Sequence, residues 1–469
     1  MKPDVSPALQ ESIGFGPRVE RIDNHWSQMH PVEVPKGWTI NLMFLVAHAP
    51  IAILMKHVPA LATLHALLVV VLGLFWGARG QIDRVAYLGA YIVGSDVLWR
   101  MCGAQIFWET GKYSLCLVFL VALVRSNSYR PPLLPLAYFA LLLPSILLVI
   151  QASDVGRLRR DLSFNLSGPF SLMVASWFYS QLSMSKEEVL RLLLTLLTPI
   201  TGISAIALFG ITSNSQIKFT GESNFATSGG FGPNQVSALL GLGALVAFLL
   251  SLNRDRGGPP GVVFLGMIVA FATQSALTFS RTGLYCACGG ILAASIGLIR
   301  DMRTRLRFIL AAVTVACVAN YVLIPVLDTF TKGHISKRFT ESNTSGRDTL
   351  MKKDLDVFLE NPLLGVGPGA SKANHQFGGH RLAASHSEVT RLLAEHGCLG
   401  MAALLLLGLT AFLSYRRSRT NMERSVKMAF LSWCLIIMAS NAMRYVAPSF
   451  IFGVCSAVFA FDETDEAKS

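Results

Sequence analysis

The sequence predicts an all-α polytopic membrane protein with about 12–14 transmembrane helices. Three observations predict it. Only 14% of the 469 residues are charged and 52% are hydrophobic, whereas soluble domains carry roughly 25% charged residues. Mean hydropathy is +0.50. Apolar runs close to the ~20 residues needed to cross ~30 Å of hydrocarbon follow one another along most of the chain. The formal charge of +12 does not indicate a nucleic-acid partner, because the basic residues sit in short clusters between apolar runs, as in cytoplasmic loops. All eight cysteines lie in or beside apolar runs without paired loop spacing. They read as packing residues, not as a disulfide framework or a zinc site.

Residues 1–37 are mixed polar, lack the pattern of a cleaved signal and are assigned to a cytoplasmic tail. The transmembrane bundle is placed at 38–328, with spans near 38–55, 60–78, 85–108, 112–124, 132–152, 167–183, 188–210, 232–251, 260–278, 283–299 and 307–328. A polar loop at 329–397 follows, then C-terminal spans near 398–415, 428–443 and 446–461 and a short tail at 462–469. With both tails inside, the cytoplasmic side holds 22 of the 40 basic residues, including Arg300, Arg303, Arg305 and Arg307 and the cluster Arg416–Lys427. That bias places the long loop outside. Several polar stretches meet on that outer side: 153–167, 211–231, the Ser280–Gly283 turn, the long loop and Arg444.

The long loop holds five of the ten histidines. Near its end, Ser385 followed by Glu388 reads as a capping box, with Val389, Leu392 and Leu393 as an apolar face and Gly397 as the stop. This puts His386 in the first turn of a helix. There the free N–H groups favour an anion, and the helix dipole disfavours protonated imidazole, leaving a neutral base. A surface histidine on a capping turn is the alternative. Upstream, Gly346–Glu360 reads as an amphipathic helix with Leu350, Leu355, Phe358 and Leu359 on one broad side, ended by Asn361-Pro362, with Arg347 at its start. Asp354-Leu-Asp356 has the form of a metal-binding D-x-D, but residues i and i+2 of a helix point to different sides. The spacing of His375, His380 and His386 fits no common zinc pattern, so no metal is expected. Arg281 lies at a span boundary, where arginine snorkels or meets an anion. Arg157, Arg159 and Arg160 fall in an outer loop, and Asp96 and Arg100 form an i, i+4 intramembrane pair. Gly229–Gln235 is a tight turn before a span, not a phosphate loop, since no Gly-Lys-Ser/Thr follows.

Taken together, Phe231-Gly-Pro-Asn234, Ser280-Arg-Thr-Gly283, Gly346-Arg347 with Asn361–Gly367, and His386 with Leu392–Gly397 resemble the bacterial O-antigen ligase and polysaccharide polymerase superfamily. The resemblance covers about residues 200–415, in matching order, and the last two pieces share one large outer loop. The chain departs at Leu350-Met351, where an aromatic residue often follows the Gly-Arg pair. The resemblance implies a GT-C-like glycosyltransferase of the bacterial inner (cytoplasmic) membrane, with its active site facing the periplasm. The donor would be glycan on undecaprenyl diphosphate, and the acceptor a lipid-linked repeat unit or lipid A-core. Membrane lipid is an expected contact, a flippase and a chain-length regulator are candidate partners, and no cofactor is implied.

His386 is then the expected catalytic base, with Arg281, Arg347, Arg159 and Arg160 as diphosphate-binding residues and Ser385, Glu388, Glu395 and Asn234 in support. The chemistry agrees: a departing diphosphate is stabilised by permanently charged arginines without a metal, and a neutral imidazole suits a sugar hydroxyl. Fourteen spans exceed the dozen usual for ligases of this superfamily, which favours a polymerase of polysaccharide repeat units, with ligation to lipid A-core as the alternative. A lipid-linked glycan flippase would carry broken inverted repeats, and none is seen. A protein-glycosylating transferase usually has a longer outer C-terminal part.

Overall fold

The computed structural model describes residues 38–126, 131–150, 154–214, 217–220, 222–252, 261–298, 306, 319–340, 346–374 and 385–461. Both expected tails, most of the span expected at 307–328, Arg300, Arg303, Arg305, Arg307, His375 and His380 lie outside them. Among the described residues the fold is all-α apart from one pair of three-residue strands. The helices are α1 Trp38–His57, α2 Pro59–Ala78, α3 Ile82–Met101, α4 Thr110–Arg125, α5 Leu133–Ala140, α6 Ile146–Ile150, α7 Val155–Ser180, α8 Lys186–Thr212 and α9 Pro233–Ser251. They continue as α10 Gly261–Leu277, α11 Thr282–Leu298, α12 Ile324–Thr331, α13 His334–Thr340, α14 Arg347–Glu360, α15 Glu388–Arg416, α16 Asn421–Ser440 and α17 Ala447–Val454. The strands are β1 Ser183–Ser185 and β2 Val458–Ala460, which pair in parallel.

Four of these helices, α2, α8, α9 and α15, are long and apolar enough to cross a membrane. The outward face of α2 stays apolar, with Leu64, Leu68, Val71 and Phe75 all exposed, which suits hydrocarbon better than water. Local signals start several helices. The Asp154 carboxylate accepts the Arg157 N–H (2.9 Å) to cap α7. Ser185 and Glu188 form a reciprocal capping box on α8, and Thr420 caps α16 through the Glu423 N–H (3.1 Å).

Two expected spans and one expected loop differ. The stretch 132–152 is broken into α5 and α6, because Pro144 falls between them and disfavours helix at the residue before it. The outer loop expected at 153–167 is helical: α7 begins at Val155 and at 26 residues runs about 39 Å. The last expected span contains only α17, whose 8 residues rise about 12 Å. The chain continues past α17 in non-helical form to β2, where the Val458 N–H meets Leu182 O (3.0 Å) and the Phe459 N–H meets a Glu423 carboxylate oxygen (3.1 Å). Those partners satisfy backbone that lipid could not.

Packing around the later motifs is tight. α9 packs on α10 and α11, α11 runs along α16, and α7 along α17. A Cβ on Gly241 would sit 2.1 Å from Gly283 O, and one on Gly283 would sit 1.8 Å from Ser237 O, so α9 and α11 meet backbone to backbone as small residues allow.

α15 is kinked at Gly397, whose φ of 59° and ψ of −137° lie outside any helix. The kink frees carbonyls, and the Asn361–Gly367 segment takes them: Val366 N–H to Ala394 O (3.0 Å) and Gly367 N–H to Glu395 O (2.9 Å). Cys398 N–H returns to Pro362 O (2.8 Å). Gly397→Ala is expected to cost about 1–3 kcal/mol, since its Cβ would also fall 2.6 Å from Leu363 C. The detergent-solubilised variant should melt at a lower temperature, and an unchanged midpoint would show that the kink accepts a side chain.

Candidate active site

The expected capping box at Ser385 is not formed. Ser387 caps α15, accepting the Thr390 N–H, and the helix starts at Glu388. The reason lies in competing partners. The Ser385 hydroxyl donates to Asp354 (2.9 Å), and both oxygens of Glu388 are held by Arg391, at 2.6 Å and 3.1 Å. Arg391 also donates to Glu395 at 2.8 Å. Spacings of three and four put these side chains on one helix face, and all three are buried. His386 therefore precedes the cap instead of sitting in the first turn, and is half-buried.

The backbone on both sides of His386 is braced by the segment after α16. Ala442 N–H donates to His386 O (2.7 Å), the Arg444 guanidinium to Ser385 O, and the Met443 N–H to Glu388 (3.2 Å). Beside this brace is a small cleft, lined among others by Phe164, Asn165, Lys372, Glu388, Arg391, Glu395 and Arg444. Lys372 pairs with Asp161 (2.8 Å), and Lys372 and Arg444 each lie over the Phe164 ring, at 5.4 Å and 5.3 Å. Burial, and then the Arg391 guanidinium, push Arg444 down to about 10.

A second neighbourhood forms around Arg281. Ser280 donates to Asn234 (2.7 Å), while the Ser237 hydroxyl donates to Ser280 O (2.8 Å) and accepts from Gly283 N–H (3.1 Å). The two sequence motifs at 231–235 and 280–283 thus form one corner. Phe279, just before it, is held at φ 58° and is fully buried, and its carbonyl accepts from Arg338 Nε at 3.1 Å. Arg347 is close enough to Arg338 and Arg281 that burial first, and then these two guanidiniums, hold its pKa below the usual arginine range. Arg347 also donates to Ser440 O (3.4 Å), the residue that begins the brace on His386. Asp96 and Arg100 pair at 2.8 Å, and through Gln235 (3.3 Å) and Val446 N–H (3.2 Å) they tie this corner to the start of α17.

Residues 265–405 match the family model for O-antigen ligase, Wzy_C. That stretch of the chain is similar to O-antigen ligases. No curated protein matches the chain. With the long apolar helices, the match supports a membrane enzyme that handles glycan.

The matched stretch holds Arg281, Arg347, Ser385, His386, Glu388 and Glu395, while Asn234 reaches it through Ser280. The Arg281 charge bears on Arg347, and Arg347 reaches the His386 brace through Ser440. Arg159 and Arg160 are exposed on the first turns of α7 and line neither neighbourhood. Asp354 is buried and Asp356 exposed, so the D-x-D is split as helical geometry requires. Asp354 instead joins α14 to α15 through Ser385 and Thr390 (2.8 Å).

The buried face of α14 is accordingly Leu350, Asp354 and Val357, while Leu355 and Leu359, expected on the apolar side, are exposed. Arg338, Lys372, Arg391 and Arg444 were not singled out as site residues by the sequence. Only Arg391 carried a local signal, its three-and-four spacing between Glu388 and Glu395. Arg391→Met would strand two buried carboxylates at a cost of about 3–5 kcal/mol. Recovery of folded protein from membranes should collapse, and adding Glu388→Gln and Glu395→Gln should restore part of it. Equal recovery of the single and triple variants would remove this ion triad as the support of the site.

Proposed function

We propose that the protein is a GT-C-like inner-membrane glycosyltransferase that moves oligosaccharide from undecaprenyl diphosphate to a sugar hydroxyl at the periplasmic face. The observation that supports this reading is that Arg347, which lies with Arg281 and His386 in the matched stretch, reaches the His386 backbone through Ser440–Ala442, just outside it. In this reading the His386 imidazole takes the proton of the acceptor hydroxyl. The hydroxyl oxygen attacks the anomeric carbon, the bond from that carbon to the diphosphate oxygen breaks, and undecaprenyl diphosphate leaves with the electron pair. Attack opposite the leaving group inverts the anomeric centre. Arg281 and Arg347 stabilise the departing negative charge with planar, permanently charged donors, a role that requires no metal. Arg159 and Arg160 form a peripheral basic surface that attracts the anionic substrate.

For the acceptor, the family description favours lipid A-core, hence ligation, over a second lipid-linked repeat unit. The case for a polymerase rested on a count of about fourteen spans. It weakens because 132–152 is broken into two short helices and α17 is only 8 residues long.

His386→Ala is expected to lower transfer by at least ~100-fold while the protein still accumulates in the membrane; normal glycan in that variant would sink the catalytic assignment. Arg281→Ala and Arg347→Ala should each weaken use of the lipid-linked donor, and undiminished activity in both would remove the diphosphate clamp. A deletion strain separates the two acceptors. Complete lipid-linked polymer accumulating without attachment to core identifies a ligase, whereas single repeat units attached to core identify a polymerase.

A further inference from the structure

α14 has three sides. Leu350, Asp354 and Val357 are buried. Asp348, Lys352, Asp356 and Glu360, spaced four apart, are exposed and charged. Between these two sides runs an exposed apolar row, Met351, Leu355 and Leu359, which the same spacing of four keeps together. Just past the helix, Leu363 and Leu364 are exposed as well, and Leu359 and Leu363 are each 73% exposed. A single exposed leucine needs no explanation, but a row of this length marks an interaction surface.

Where the row ends decides what covers it. Leu363 O accepts from Cys398 Sγ (3.1 Å) and Pro362 O from the Cys398 N–H (2.8 Å). Cys398 is the first residue past the Gly397 kink, and α15 runs from there to Arg416, about 27 Å at the helical rise. That length is close to the ~30 Å of a hydrocarbon core. Arg416, Arg417 and Arg419 mark the far end of this span, so Cys398 stands at its near boundary. In steps of three and four from Cys398, Met401, Leu405, Leu409 and Phe412 form the exposed apolar stripe of α15. The α14 row therefore ends against the first residue of a lipid-facing stripe. One side on protein, one apolar and one charged is the distribution that suits a helix lying in a membrane interface.

We propose that α14 and the turn after it form an interfacial anchor. The row from Met351 to Leu364 enters the acyl layer of the adjoining leaflet, the charged row stays in water, and the partner is phospholipid. The opposite side of the same helix holds Ser385 (2.9 Å) and Thr390 (2.8 Å) through Asp354, and Arg347 is its first residue. Seating α14 in the leaflet thus sets the height of His386 and Arg347 above the bilayer. The anchor needs only that α15 crosses the membrane, and stands apart from the reaction proposed above.

The test introduces the photoreactive residue p-benzoylphenylalanine into the full chain at Leu359 or Leu363 and, for comparison, at Lys352 or Glu360. Native membranes and nanodiscs of phosphatidylethanolamine and phosphatidylglycerol are then irradiated. At 359 and 363 the adduct should carry the mass of one phospholipid, in at least tenfold higher yield than at 352 and 360. Equal lipid capture from both sides, or none at 359 and 363, overturns the anchor. Capture of a second copy of the chain, or of another protein, in place of lipid overturns it too, since the face then has a different occupant. Should the substituted chains fail to accumulate, the unaltered chain decides, in nanodiscs doped with a phospholipid bearing a diazirine in its acyl chain. Label is expected within 351–364, and its absence there while 398–416 is labelled overturns the proposal.

Discussion

The site depends on a buried ion triad. Glu388, Arg391 and Glu395 are all nearly inaccessible to solvent, and removing such charges from water costs several kcal/mol per ion. Short, doubled contacts offset this: Arg391 makes three hydrogen bonds to the two carboxylates, Glu388 also accepts the Met443 N–H, and Glu395 accepts from Ser371 (3.2 Å). These demands fix the rotation of α15 about its axis. With that face turned inward, Glu388 cannot reach back to Ser385, and the helix has to begin one contact later, at Ser387. His386 is thereby left on non-helical backbone, where the segment after α16 can grip the chain on both sides of it.

A second constraint seats the polar loop on the membrane helices. Backbone groups in an apolar setting need partners, and the Gly397 kink exposes some that the helix itself cannot satisfy. The segment 361–367 supplies them, approaching so closely that a Cβ on Gly365 would lie 2.5 Å from Ala394 O. His396 adds a side-chain pin: it is fully buried, with Nδ1 2.6 Å from the Ser145 hydroxyl in the break between α5 and α6. The broken helix and the kinked helix thus complete one another. A continuous span at 132–152 could not offer Ser145 in this way, so the break is part of the architecture that holds the loop.

Much of this was legible in the sequence where the signal was local. Composition gave the all-α membrane class, Asn361-Pro362 marked the end of α14, Gly397 marked the interruption of α15, and i, i+2 spacing foretold the split of Asp354 from Asp356. The misreadings around His386 share one cause, tertiary competition. Ser385-x-x-Glu388 has the form of a capping box, and Ser185-x-x-Glu188, the same pattern, is one. The difference is that Asp354 and Arg391 claim the former pair. Leu355 and Leu359 look like a packing face until Asp354 is drawn inward by Ser385 and Thr390. Arg338 and Arg444 carry no local pattern at all. Their importance comes from Phe279 and Ser385, residues 59 positions away in each case, and only the fold creates those neighbours.

The company each arginine keeps separates support from chemistry. Arg391 sits between two carboxylates at 2.6 Å and 2.8 Å, the environment of a charge that builds structure. Arg347 lies near Arg338 and Arg281, and both neighbours oppose its charge. A fold selected for stability alone would replace such a group by an apolar one, which is often neutral or stabilising in a buried setting. Retaining it is reasonable where a polyanion completes the arrangement. Arg444 is intermediate: it is opposed by Arg391, favoured by Glu388 and Glu395, and bonded to the carbonyl before His386. Its contacts brace the backbone beside His386. The residues Ser440–Arg444 touch both, with Arg347 at one end and the His386 backbone beside the other. Displacing this segment would therefore disturb the surroundings of Arg347 and of His386 together, through five residues outside the matched stretch.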